Sequence, residues 1–171
     1  MERSKQEKID RLYLRMAFIW AENSYAIRRH VGCLIVKDGS IISDGYNGTP
    51  SGFPNICEYA VSPNEGSEYC KAESIEELKK LQDQGWRLIT YPIVLHAESN
   101  AIAKLAKSNN SSKGATIYIT DEPCLNCAKN IIQAGITRVV YSRSYHLHEG
   151  IELLKQVNIE IQQITIENEK G

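Results

Sequence analysis

No run of apolar residues in this sequence approaches the roughly 20 needed to cross a bilayer. The opening residues, Met1-Glu2-Arg3-Ser4-Lys5, carry no apolar signal core, so neither a membrane role nor export is expected and the setting read here is cytoplasmic. A strong excess of one charge is also missing. Twenty Lys and Arg face 21 Asp and Glu, for a net charge of −1. Proteins that bind polynucleotides carry a basic face, and nothing here demands one. A small anionic substrate needs only one or two local cations. A cysteine count that allows complete pairing is missing too: the five copies cannot all pair, which favours a reducing compartment over a disulfide framework. There is no internal repeat and no low-complexity segment. At 171 residues the chain fits one domain with a substantial core.

What the sequence does have is concentrated in two short stretches. His96-Ala97-Glu98 and Pro123-Cys124-Leu125-Asn126-Cys127 together offer one imidazole, two thiolates and one carboxylate. Zn²⁺ takes N and S ligands tetrahedrally, and catalytic sites keep the fourth position for water. Three ligands with a spare acid nearby therefore suit water activation better than a closed structural clip. Cys124 and Cys127 are three apart and share a helix face, and Pro123 suits a helix start, where free N–H groups and the dipole favour a thiolate. Taken alone, C-x-x-C could be a redox pair or half of a structural zinc site. A structural site wants a fourth Cys or His nearby, and none is obvious. The joint pattern H-x-E…P-C-x-x-C is the signature of zinc nucleobase deaminases.

The rest of the chain reads as alternating elements. Residues 4–22 form an amphipathic helix whose apolar stripe is Ile9, Leu12, Tyr13, Met16, Ala17 and Trp20. Two β-branched runs at 31–36 and 41–43, separated by Lys37-Asp38-Gly39-Ser40, predict a hairpin. Cys33 lies inside the first run as a buried small hydrophobe. Gly45-Tyr46-Asn47-Gly48-Thr49-Pro50-Ser51-Gly52 is a loop, either a plain turn or a backbone that approaches a ligand closely. From 53 to 92 the pattern loosens and reads as an insertion, with a capped helix over 74–84 ended by Gly85. Helices over 95–107, 124–134 and 151–157 then alternate with strands over 115–120, 136–141 and 158–166. That alternation predicts a layered α/β sheet with parallel neighbours in its second half, and it puts both ligand stretches at helix starts just past strand ends.

The chain resembles the zinc-dependent cytidine deaminase superfamily and, within it, the deoxycytidylate (dCMP) deaminases. The resemblance is carried by His96-Ala97-Glu98-Ser99-Asn100-Ala101-Ile102, Pro123-Cys124-Leu125-Asn126-Cys127-Ala128-Lys129, Ile131-Ile132-Gln133-Ala134-Gly135-Ile136, Val31-Gly32 and Gly45-Tyr46-Asn47-Gly48. It implies a three-layer α/β/α fold with a central mixed five-stranded sheet and helices on both faces. It implies Zn²⁺ on His96, Cys124 and Cys127 and Glu98 as the proton carrier. It also implies Asn47 at the sugar, Arg28 at the 5′-phosphate with Arg29 as the fallback, and Tyr145 near the substrate. The family further implies a homohexamer activated by dCTP and inhibited by dTTP with Mg²⁺. The effector would be held near Gly48, Thr49 and Gly52, and the product dUMP would supply thymidylate synthesis. Some relatives carry a second zinc in the insertion. Here Cys57 and Cys70 could contribute, but Ala26 stands where a relative has a cysteine ligand and the insertion has no His, so two free thiols are the alternative.

Three other readings stay open on the sequence alone. One is a deaminase of free nucleosides or bases. Another is a nucleic-acid editing deaminase, against which the balanced charge weighs. The last is a non-catalytic nucleotide-binding regulator, which would have no need of Glu98.

Overall fold

The computed structural model describes residues 4–63, 69–144 and 148–166. Helix α1 (Lys5–Ala21) opens with Ser4, whose hydroxyl accepts the Glu7 N–H at 3.1 Å. Strands β1 (Gly32–Lys37) and β2 (Ser40–Tyr46) then form the expected hairpin. Its two turn residues, Asp38 and Gly39, have φ of 50° and 76°, the left-handed pair that a two-residue turn needs to match the twist of the strands. After a middle segment the chain continues through α3 (Ala97–Leu105), β6 (Thr116–Asp121), α4 (Leu125–Gln133), β7 (Arg138–Arg143), α5 (Glu149–Gln156) and β8 (Glu160–Gln163).

The main sheet has the order β2-β1-β6-β7-β8. β1 runs antiparallel to both neighbours, while β6, β7 and β8 are parallel, as the helix–strand alternation predicts. Alternate side chains go to opposite faces. Cys33 and Ile35, Ile117 and Ile119, Val139 and Tyr141 meet α3, α4 and α5 in one core cluster. Leu34, Val36, Tyr118 and Val140 meet Leu14 and Ala17 of α1 in another. Helices therefore cover both faces, and the three-layer expectation holds.

One expectation about α1 is corrected. The face turned to the sheet is Asp10, Leu14, Ala17 and Ala21, not the larger apolar stripe. Leu12 is 57% exposed, Met16 and Trp20 also face outward, and of the predicted stripe only Ala17 is buried. Close approach decides this. A Cβ on Gly32 would lie 2.0 Å from the Ala17 carbonyl oxygen, so the helix rests directly on the strand backbone. A small-residue face allows that approach and a Trp/Met face does not. Asp10 is tolerated inside because Arg138 at the start of β7 grips both its oxygens, at 2.8 and 2.9 Å.

The segment 53–92 builds a sheet of its own, order β4-β3-β5, from β3 (Glu58–Val61), β4 (Tyr69–Cys70) and β5 (Arg87–Thr90), all antiparallel. Helix α2 (Ile75–Asp83) packs Leu78 against it. Ser74 accepts the Glu77 N–H at 3.1 Å and Glu77 reaches back to the Glu73 N–H at 2.9 Å, the expected capping box. Gly85 ends the helix at φ 87°. These three strands are not among the elements expected from the sequence; at two to four residues each they are too short to set up a clear alternation.

Candidate active site

Two helix starts meet past the end of β6. Cys124 is the N-cap of α4 and Cys127 sits in its first turn; His96 is the N-cap of α3 and Glu98 lies in that helix's first turn. Cys124 follows directly on β6, as expected. His96 does not follow a strand of the main sheet. It comes after β5 of the small sheet and is tied to the main one by a bridge between Gly48 and Leu95, with hydrogen bonds of 3.1 and 2.8 Å. Gly45 admits α3 here, since a Cβ on it would lie 2.1 Å from the Ala97 carbonyl oxygen.

His96 Nδ1 lies 3.5 Å from Cys124 Sγ and 3.4 Å from Cys127 Sγ. On a tetrahedral Zn²⁺ with ordinary Zn–N and Zn–S bonds the N···S edge is about 3.5 Å, so the donor set fits the ion in number, type and spacing. Among the described residues this is the only such group of three metal-ligating side chains. Cys57 and Cys70 belong to no such group, and both thiols are free.

The electrostatics follow from this proximity. The Cys124 thiol is held down at about 3, first by the hydrogen bond from Cys127 and then by His96. Cys127 is pushed up by the same contact and by burial. His96 is raised, chiefly by its bond to Cys124. Glu98 is 4% exposed, and burial pushes its carboxyl up to about 7 against the pull of its own backbone N–H and of His96.

His96, Glu98 and Cys124 border a cavity of about 370 Å³ that also takes in Arg28, Arg29, Asn47, Glu58, Asp121 and Glu122, with Cys127 buried behind them. The residues expected at the metal and at the substrate are thus brought together, apart from Tyr145, which lies outside the described residues. Asn47 has further work in the structure. Its Oδ1 accepts the Val31 N–H and its Nδ2 donates to the Arg29 carbonyl, both at 2.9 Å, which fixes the amide's orientation and braces the loop before β1. Arg29 pairs with Asp121, which also accepts from Arg143 at 2.7 Å. The Arg28 guanidinium meets only the Thr90 hydroxyl, at 3.2 Å, among the described residues.

Glu58, Asp121 and Glu122 were not singled out in the sequence. Asp121 and Glu122 adjoin Pro123-Cys124, a signal that was there to use; Glu58 had none. Glu122 is buried and accepts from Ser144 at 2.9 Å and lies 2.8 Å from His148 Nδ1. Gly48, Thr49 and Gly52 border a separate cavity of about 490 Å³ together with Lys104 and Lys107.

Residues 7–143 match the family model of the cytidine and deoxycytidylate deaminase zinc-binding region. The deoxycytidylate deaminase of Saccharomyces cerevisiae is 32% identical over 94% of this chain, although the chain spans only 46% of that protein's length. The deoxycytidylate deaminase of Enterobacteria phage T4 is 32% identical over 86% of each protein. The crystal structure of dCMP deaminase from the cyanophage S-TIM5, in complex with dCMP and dUMP, superposes with a TM-score of 0.70 at 33% identity, covering 95% of this chain and all of that one. No helix among the described residues is long and apolar enough to cross a membrane. With the H-x-E and P-C-x-x-C halves meeting at one point and the family model spanning most of its length, this chain belongs to the cytidine and deoxycytidylate deaminase zinc-binding family.

Proposed function

We propose that this chain hydrolyses dCMP to dUMP and ammonia. The observation that carries the proposal is the convergence of His96, Cys124 and Cys127 beside a buried Glu98, at a cavity that His96, Glu98 and Cys124 share with Asn47 and Arg28. His96, Cys124 and Cys127 would hold Zn²⁺, which when bound supplies Lewis-acid activation of water near neutral pH. Glu98 takes the proton from the attacking water and delivers it to N3 of cytosine as the oxygen adds to C4. The same carboxyl then takes the remaining proton from the new C4 hydroxyl and gives it to the amino group, so that the C4 carbonyl forms as the C–N bond breaks and ammonia leaves. A carboxyl poised near 7 exchanges protons in both directions at neutral pH, as this double duty requires. Burial at the head of α3 keeps it away from bulk water between the two transfers.

Arg28 holds the 5′-phosphate, Arg29 being spent on Asp121. An Arg fork suits a phosphate dianion, and one free arginine is enough for a monophosphate. The remaining hydrogen and lone pair of the Asn47 amide serve the deoxyribose 3′-hydroxyl. Tyr145 completes the substrate contacts in this reading. The product dUMP supplies thymidylate synthesis.

The cavity around Gly48, Thr49 and Gly52 takes the effector, dCTP as activator or dTTP with Mg²⁺ as inhibitor. Lys107 on its wall gives a polyphosphate something to meet, and Lys104 beside it is already paired with Asp44. The protein works in the cytoplasm as a homohexamer of one-domain subunits, with 53–92 as an insertion.

The test is ammonia release from dCMP, CMP and deoxycytidine, side by side, before and after chelation of zinc. We expect dCMP to be turned over fastest, and chelation to abolish the activity until Zn²⁺ is restored. Faster turnover of deoxycytidine than of dCMP would replace the proposal with a nucleoside deaminase.

A further inference from the structure

The loop that carries Arg28 has no ladder to hold it. Residues 22–31 lie between α1 and β1 and belong to no strand or helix. The backbone N–H groups of Ile27 and Arg28 instead point at a side chain 30 residues away. Glu58 Oε1 accepts from both, at 3.1 and 3.3 Å, and Oε2 accepts from Ile27 at 3.2 Å. Glu58 is 1% exposed and borders the same cavity as His96 and Glu98. Its partner across the β3–β5 ladder is Thr90. Thr90 is also the residue whose hydroxyl accepts from the Arg28 guanidinium. One rung of the small sheet therefore grips Arg28 twice, by its backbone through Glu58 and by its side chain through Thr90.

From this the geometry points to Glu58 as a positioning residue that aims Arg28 at the nucleotide phosphate, with Thr90 as its second hand. The inference rests on the reading of Arg28 given above. It gives the small sheet a role in selecting a nucleoside 5′-monophosphate over the bare nucleoside. The physical reason is preorganisation. An arginine on a loop outside any ladder spends part of its attraction for phosphate on ordering itself; Asn47 braces the backbone at Arg29 and Val31, and a buried carboxylate that fixes it at Ile27 and Arg28 lowers the remaining cost. Arg29 next to it cannot substitute, because Asp121 already holds it.

The test compares KM and kcat for dCMP and deoxycytidine in Glu58→Gln, Thr90→Val, Arg28→Ala and the Glu58→Gln/Arg28→Ala pair. Glu58→Gln keeps the shape but sets an NH₂ against the Ile27 N–H. We expect its KM for dCMP to rise about tenfold, the scale of one charge-assisted contact, with kcat and the deoxycytidine KM little changed. On the Arg28→Ala background the same change should add nothing, because the group it positions is gone. Equal KM shifts for both substrates in Glu58→Gln, or full additivity with Arg28→Ala, would overturn the inference and leave the Arg28 reading intact. An Arg28→Ala variant that affects both substrates alike would overturn that reading, and the inference with it. If Glu58→Gln fails to fold, Thr90→Val, which removes only a hydroxyl, carries the same selective prediction with a smaller rise; no selectivity there overturns the inference.

Discussion

Glu98 has been stripped of nearly all its solvent, which lifts its carboxyl to about 7 against the pull of His96 two residues away, so it can both take and give a proton. Replacing it with Gln preserves shape and burial and removes the transferable proton. A Glu98→Gln protein should bind zinc as before, by metal analysis, while kcat for dCMP falls on the order of 10²–10⁴. A variant close to the parent rate would remove Glu98 from the mechanism. At this scale the sequence offered His96 with Glu98 and Cys124 with Cys127 as two pairs each set within one helix turn, and the structure brings the two pairs to one point. The arginines were less legible. Arg28 and Arg29 are chemically identical neighbours, and only the capture of Arg29 by Asp121, nearly a hundred residues away, separates them.

The elements that bring α3 and α4 together depend on missing side chains as much as on present ones. Gly45 lets α3 lie directly on β2, with the Ala97 carbonyl where a Cβ would be. Gly45→Ala must push back the turn that carries His96 and Glu98. We expect a loss of roughly 1–3 kcal/mol in denaturant unfolding, or more, together with weakened zinc retention. The seating of α1 depends on a buried charge. Burial alone would raise the Asp10 carboxyl, but hydrogen bonds from Arg138, Gln6 and Tyr118 outweigh it and hold it below its ordinary value. A depressed folded-state pKa means stability that is present above the unfolded value, near 4, and is lost as pH falls through the folded one. Asp10→Asn removes one of the two carboxylates that Arg138 grips, Glu160 being the other, and should cost roughly 1–3 kcal/mol at neutral pH. The gap between parent and variant in urea unfolding should narrow steadily below about pH 4. A gap that stays constant down to pH 2 would rule out Asp10 as the source. The misread face of α1 belongs to this scale too. Periodicity reports which residues are apolar, and it is blind to how near the partner backbone must come.

For the molecule as a whole, the second cavity is where regulation would enter. Its glycine-rich loop continues from β2 and Asn47 into the bridge that fixes Leu95, the residue before His96. A ligand there presses on backbone shared with both the substrate side and the metal side. We therefore expect dCTP to raise dCMP turnover at low substrate and dTTP with Mg²⁺ to lower it, read as opposite shifts in half-saturation. Two nucleotides without effect would leave the cavity unassigned. The sequence by itself determined the alternation of helices and strands, the parallel order of the second half, the hairpin turn, and the two short motifs that supply the candidate metal site. Each of these is written in local spacing and turn chemistry. Only the tertiary structure decided which face of α1 is buried, that residues 53–92 form a sheet, and that Glu58, Thr90 and Asp121 govern the two arginines. Those outcomes depend on contacts between segments far apart in the chain, where a single carboxylate or hydroxyl acts by position and leaves no periodic trace.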